Sequence, residues 1–138
     1  MSGGQVPISL QRGVRLRAGD RCEYCRIAQV SQEATFHVDH VIPRAAGGAT
    51  SFENLALACV SCSLRKGART TAIDPTSGDA TRLFHPRVQA WTEHFSADAS
   101  GEIMGLTAIG RATVVALSMN RVLAIRIRHE ERSRERWP

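Results

Sequence analysis

The sequence predicts a single small α+β domain whose apolar core needs an additional staple. Three observations lead there. The chain has 138 residues, the size of one ordinary domain. Hydrophobic residues make up 43% and charged residues 22%, as in a soluble globular protein, yet aromatics reach only 5% and leave little large apolar area to bury. Finally, its four cysteines, Cys22, Cys25, Cys59 and Cys62, fall as two C-x-x-C pairs, CEYC and CVSC, with 33 residues between them.

Two residues between thiolates let both sulfurs of a tight knuckle turn toward one point. Two such knuckles complete a tetrahedral all-sulfur shell, which suits structural Zn²⁺. Metal binding then adds directly to folding free energy, which answers the weak core. Redox pairs of the thioredoxin kind sit in a βαβ pattern, and neither pair here does.

The elements follow in order. Ile8 to Arg17 reads as a short helix, weakened by Gly13, leading into the first knuckle. Between the knuckles, Phe36, Val38, Val41 and Ile42 give a strand-like stretch that Pro43 stops, and Gly47-Gly48 marks a turn. Leu55 and Leu57 alternate with Ala56 and Ala58 as a second short strand. A short basic helix follows Cys62, with Ser61 as its expected N-cap and Gly67 near its end. The stretch 73–86 is turn-rich, and Val88, Trp91 and Phe95 predict a helix over 88–95. A hairpin is expected around 98–106, then a helical stretch over 107–128 broken near Asn120. RIRHEERSRERW reads as a frayed helix or solvated tail. The expected organisation is therefore one domain over 1–138: a core at about 20–70, an extension at about 73–128 and a charged tail at 129–138.

The formal charge is +5, and 17 of the 18 basic residues are arginine, Lys66 being the one lysine. Arginine suits bidentate phosphate contacts, so the balance leans toward a nucleic-acid partner. No apolar run reaches the roughly 18 residues of a membrane span, and MSGGQVPISL lacks the pattern of a secretory signal, so the expected compartment is the cytoplasm.

Here the residues resemble a known family. C-x-x-C, then Asp39-His40, Asn54, C-x-x-C and Lys66-Gly67 is similar to the HNH endonucleases, and blocks such as FHVDHVIPRAAGG, ENLALACVSC and IDPTSGD extend the likeness over roughly residues 12–127. The resemblance implies a ββα-metal core, held by the four-cysteine zinc site and flanked by N- and C-terminal helices. It implies metal-dependent hydrolysis of DNA phosphodiester bonds by nicking, leaving 3′-hydroxyl and 5′-phosphate ends. It calls for Mg²⁺ or Mn²⁺ beside the structural zinc; DNA is the expected partner, with no small-molecule cofactor and no membrane expected. Oligomeric state stays open.

The chemistry assigns roles to match. His40 is the candidate general base, since an imidazole titrates near neutrality. Asp39 is the candidate ligand of the hard catalytic cation, and Asn54 is expected to fix the His40 ring by a hydrogen bond. Neighbours on an ideal strand point to opposite faces, so Asp39 and His40 share a site only where the strand ends or twists. His37 and His85 are candidates for the surroundings of the site, and Arg44, Arg65 and Lys66 for phosphate contacts. One position departs from the family pattern: the residue after the fourth cysteine, normally His or Asn and the second protein ligand of the catalytic metal, is Ser63. The rival reading is a zinc-stapled nucleic-acid-binding module without catalysis, with Ser63 as the mark of weakened or lost activity.

Overall fold

The computed structural model of the chain describes residues 6–135. Helix α1, Ile8–Ala18, leads into the first knuckle, and Gly19 closes it in the left-handed region at φ 63°. Its basic last turn is spent inside the molecule. Arg15 donates to the carbonyl of Phe36, while Arg17 donates to those of Phe52 and Leu55 and stacks on the Phe52 ring at 3.7 Å.

Strand β1, His37–His40, pairs antiparallel with β2, Leu55–Ala58, with His37 opposite Ala58 and His40 opposite Leu55. All four residues of β2 are buried, so the Leu/Ala alternation distinguishes large from small side chains and not inside from outside. Helix α2, Val60–Lys66, follows directly. It begins earlier than expected: Cys59, not Ser61, is the N-cap, its sulfur accepting the N–H of Cys62. Gly67 ends it at φ 51°. This ββα unit carries the knuckles at its edges. The backbone N–H of Glu23 donates to the Leu57 carbonyl, the N–H of Leu57 donates back to the Glu23 carboxylate, and that carboxylate also pairs with Arg87.

The remainder wraps the unit. Stretch 73–86, expected as turns, contributes to a hairpin of β3, Thr71–Ile73, and β4, Ala80–Arg82. Asp74 governs its turn, accepting the N–H of Thr76 and a bidentate pair of bonds from Arg111 at 2.9 Å each. The helix expected over 88–95 shrinks to α3, Trp91–His94. The Gln89 side chain takes the N–H of His85 and holds that segment in turns, and Phe95 enters the next strand. Strands β5, Phe95–Ala97, and β6, Ile103–Gly105, form the expected hairpin. Helix α4, Ala108–Ala116, starts at Thr107, whose hydroxyl accepts the N–H of Gly110. The break near Asn120 has a definite cause. Its side-chain amide accepts from the N–H of Ile103 at 2.8 Å and donates to the Ile103 carbonyl at 2.7 Å, serving the backbone of β6 instead of a helix.

The charged C-terminus departs most from expectation. Helix α5, Val122–Ser133, is a docked element and not a solvated tail. Arg128 is 1% exposed and Glu131 3%. Arg128 donates to the carbonyls of Gly101 and Met119 at 2.6 Å and to that of Cys25 at 3.4 Å. Glu131 pairs with Arg21 at 2.8 Å and accepts from the Ala28 N–H and the Ser31 hydroxyl of the first knuckle segment. Buried charges survive only with such complete partnering, each charge-assisted bond contributing about 1.5–3 kcal/mol. Residues 136–138 of the expected tail lie outside the described residues.

The main apolar cluster runs from Val6 through Val14, Tyr24, Ile27, Phe36, Leu57 and Phe84 to Ala124, with all four cysteines inside it. Among the described residues no helix is long and apolar enough to cross a membrane.

Candidate metal centre and active site

The two knuckles bring the sulfurs of Cys22, Cys25, Cys59 and Cys62 within 4.8 Å of one another, all buried and none in a disulfide. Cys25 and Cys59 stand 3.6 Å apart. A tetrahedral Zn²⁺ with metal–sulfur bonds of about 2.3 Å requires sulfurs about 3.8 Å apart, so the donor set and its dimensions fit zinc. The backbone N–H groups of Cys25 and Cys62 donate to the sulfurs of Cys22 and Cys59 at 3.4 Å, as a thiolate site requires. Burial pushes the Cys22 thiol well above its ordinary value, so thiolates here need a cation to pair with. The Arg128 guanidinium sits close enough to feel the charge of this cluster: burial pulls it below its ordinary value, and Cys25 works against that pull.

The end of β1 builds the second site. His40 is its last residue, and just beyond it the N–H of Val41 donates to the Asn54 carbonyl. Because the strand ends there, Asp39 and His40 are both buried and both line one cavity of about 440 Å³, together with Arg44, Ser63, Leu64 and Gly67. The condition set by the sequence, that the strand end or twist, is met.

Asp39 faces Lys66. The ammonium lies 3.0 Å from its carboxylate and donates to the His40 carbonyl at 2.9 Å. Lys66 is 2% exposed, which corrects its expected role: it ties the last turn of α2 to the end of β1 instead of meeting phosphate at the surface. The physical reason is Asp39, whose buried carboxylate requires a cation beside it.

Among the described residues the His40 ring makes one hydrogen bond, Nε2 to the Thr50 hydroxyl at 2.8 Å, and its Nδ1 is buried without a partner. Burial lowers the imidazole below its ordinary value; Asp39 opposes this, while Arg44 and Lys66 add to it. The shift favours the neutral ring, the form able to accept a proton.

Asn54 does not touch the ring, which corrects the second expected role. Its Oδ1 accepts the N–H of Ile42 at 2.9 Å, and its Nδ2 donates to the carbonyls of Ile42 and Ala49. It staples the loop that follows β1. Gly48 belongs to the same staple: a Cβ there would collide with the Ile42 carbonyl oxygen. Thr50, next to Ala49, is the residue sequence reasoning missed, since a threonine in a loop after two glycines carries no distinguishing signal.

Ser63 is 8% exposed and lines the cavity beside Asp39. Its hydroxyl lies 2.8 Å from Nδ1 of the half-buried His37, so His37 is joined to the site through Ser63. The oxygens of Asp39 and Ser63 are hard donors. Such donors are the kind a Mg²⁺-like cation takes, keeping several waters beside one or two carboxylates and substrate phosphate. Arg44 and Arg65 are exposed, Arg44 on the cavity wall and Arg65 bonded to Ser61 on the outer side of α2. His85 accepts the N–H of Arg87 at Nδ1; burial lowers its imidazole, and Lys66 is close enough to contribute.

Residues 22–69, which contain both sites, match the family model of the HNH endonucleases. No curated protein and no solved structure matches the chain.

Proposed function

We propose, on the match of residues 22–69 to the family model of the HNH endonucleases, that the protein hydrolyses DNA phosphodiester bonds in a cation-dependent reaction, nicking one strand per event. The observation that carries this reading is the buried pair Asp39 and His40 on the wall of one cavity, with His40 Nδ1 lacking a hydrogen-bond partner among the described residues.

The roles follow from chemistry. A phosphate of the backbone enters the cavity mouth beside Arg44, with Arg65 engaging a neighbouring phosphate, contacts that supply affinity without reading sequence. His40 accepts the proton of the attacking water as its oxygen bonds to phosphorus. The bond to the 3′ oxygen breaks, and that oxygen takes a proton from solvent. Asp39 and Ser63 would hold Mg²⁺ or Mn²⁺, which when bound supplies positive charge to the phosphate and to the leaving oxygen. Lys66 holds and aims the Asp39 carboxylate, and Zn²⁺ on the four cysteines keeps β2 and α2 in place.

The test is a supercoiled-plasmid assay with zinc-loaded protein. Nicked circles are expected with Mg²⁺ or Mn²⁺ and none with EDTA. Plasmid that is retarded on a gel but never nicked would replace this reading with the binding module that Ser63 raises.

Ser63 gives a separate prediction. A serine hydroxyl is a short ligand already engaged with His37. Ser63→Asn, which extends a carbonyl oxygen into the cavity, is expected to lower the Mg²⁺ concentration for half-maximal nicking by about tenfold, equivalent to ~1.4 kcal/mol. An unchanged Mg²⁺ titration would show that position 63 does not bind the cation.

A further inference from the structure

We propose that Thr50 is the positioning residue of the active site, holding His40 as the tautomer that carries its proton on Nε2 and presents Nδ1 as the reacting nitrogen. The proposal deepens the nuclease reading and rests on it for the word reacting.

Among the described residues the His40 ring's one hydrogen bond runs between Nε2 and the Thr50 hydroxyl at 2.8 Å, and the opposite nitrogen is buried without a partner. Two tautomers satisfy that distance. If Thr50 donates to Nε2, the ring proton lies on Nδ1 as a buried N–H with no acceptor, and neither nitrogen keeps a free lone pair. If Nε2–H donates to the Thr50 oxygen, Nδ1 keeps a lone pair and no buried donor is orphaned. Orphaned N–H groups are the rarer of the two defects in folded proteins, so the second tautomer is the one this site holds. It is also the one whose Nδ1 keeps a lone pair able to accept a proton.

The loop carrying Thr50 is built to keep it in place. Asn54 donates to the carbonyl of Ala49, the residue before Thr50, and bonds both backbone groups of Ile42. Gly48 lets the loop return against the Ile42 carbonyl, where no Cβ would fit. The β-branched threonine is stiff at χ1, so a fixed backbone fixes the hydroxyl. Asn54 thus acts on His40 through Ala49 and Thr50 and not by contact.

The experiment uses full-length zinc-loaded protein with ¹⁵N-labelled histidine, at a pH where His40 is neutral. Long-range ¹H–¹⁵N spectra of the wild type are expected to show the Nε2–H tautomer alone for His40. Thr50 is exposed, so Thr50→Val should fold normally. That variant is expected to show mixed tautomers and to lose nicking by about tenfold to a hundredfold, less than the loss of the base itself. Zinc content and DNA retardation should be unchanged. Thr50→Ser restores the hydroxyl and is expected to recover both spectrum and nicking. An Nδ1–H tautomer in the wild type, or a Thr50→Val protein with the wild-type tautomer, would overturn the proposal. A wild type that never nicks would overturn the nuclease reading instead, and the spectra would still decide what Thr50 does.

Discussion

Replacing His40 by alanine is expected to abolish plasmid nicking while DNA is still retarded and zinc is still bound. A positioned general base contributes on the order of 10²–10⁴-fold in rate. No described neighbour can stand in as the base. Asp39 is engaged with Lys66, and the His37 imidazole is bonded to the Ser63 hydroxyl. Arg44 and Arg65 are untouched by the change, so binding should keep its salt dependence. The fold should persist as well, because the His40 side chain makes one hydrogen bond, to a surface threonine, and the structural link at this position runs through its backbone carbonyl to Lys66. Residual nicking within about tenfold of wild type would remove His40 from the role of base.

Loss of zinc should have the larger effect on stability. Apparent binding free energies of structural zinc are roughly 10–16 kcal/mol in small zinc modules, as large as the whole stability of a domain, roughly 5–15 kcal/mol. A strong chelator, or Cys59→Ser, is therefore expected to unfold the protein at room temperature. The reason lies in what the first knuckle carries. Its backbone receives Arg128 at Cys25 and Glu131 at Ala28, and Glu23 bonds β2 at Leu57. Without the metal, β2, α2 and α5 lose their common anchor together. The measurement is helical circular dichroism with and without chelator, alongside the environment of Tyr24 and Trp91, which a 2.8 Å bond from the Trp91 indole to the Tyr24 carbonyl links to the knuckle. A metal-free protein that melts at the same temperature as the zinc form would make the cluster dispensable for folding.

What the sequence determined by itself is what depends on short spacings. Two C-x-x-C pairs make two knuckles because each pair acts within four residues, and the 33-residue gap leaves room for one hairpin. Asp39 and His40 were legible as a pair because Pro43 limits the strand, and Gly67 was legible as a helix end because its backbone needs positive φ. Tertiary structure decided which partner each polar group took. Lys66 and Arg128 read as surface charge because a side chain's charge is written in the sequence and its solvation is not. They are buried because Asp39, 27 residues away in the chain, and the carbonyls of Gly101 and Met119 come to them. The same holds for much of the arginine count: Arg15, Arg17, Arg21, Arg87 and Arg111 bond to the protein itself, so the net charge overstated the surface left for nucleic acid. At the candidate active site, residue type pointed to Asn54 and gave no sign of Thr50. Contact with the His40 ring depended on how the 41–54 loop closed, and the close approach at Gly48 brought the threonine to the ring and turned the asparagine toward the backbone.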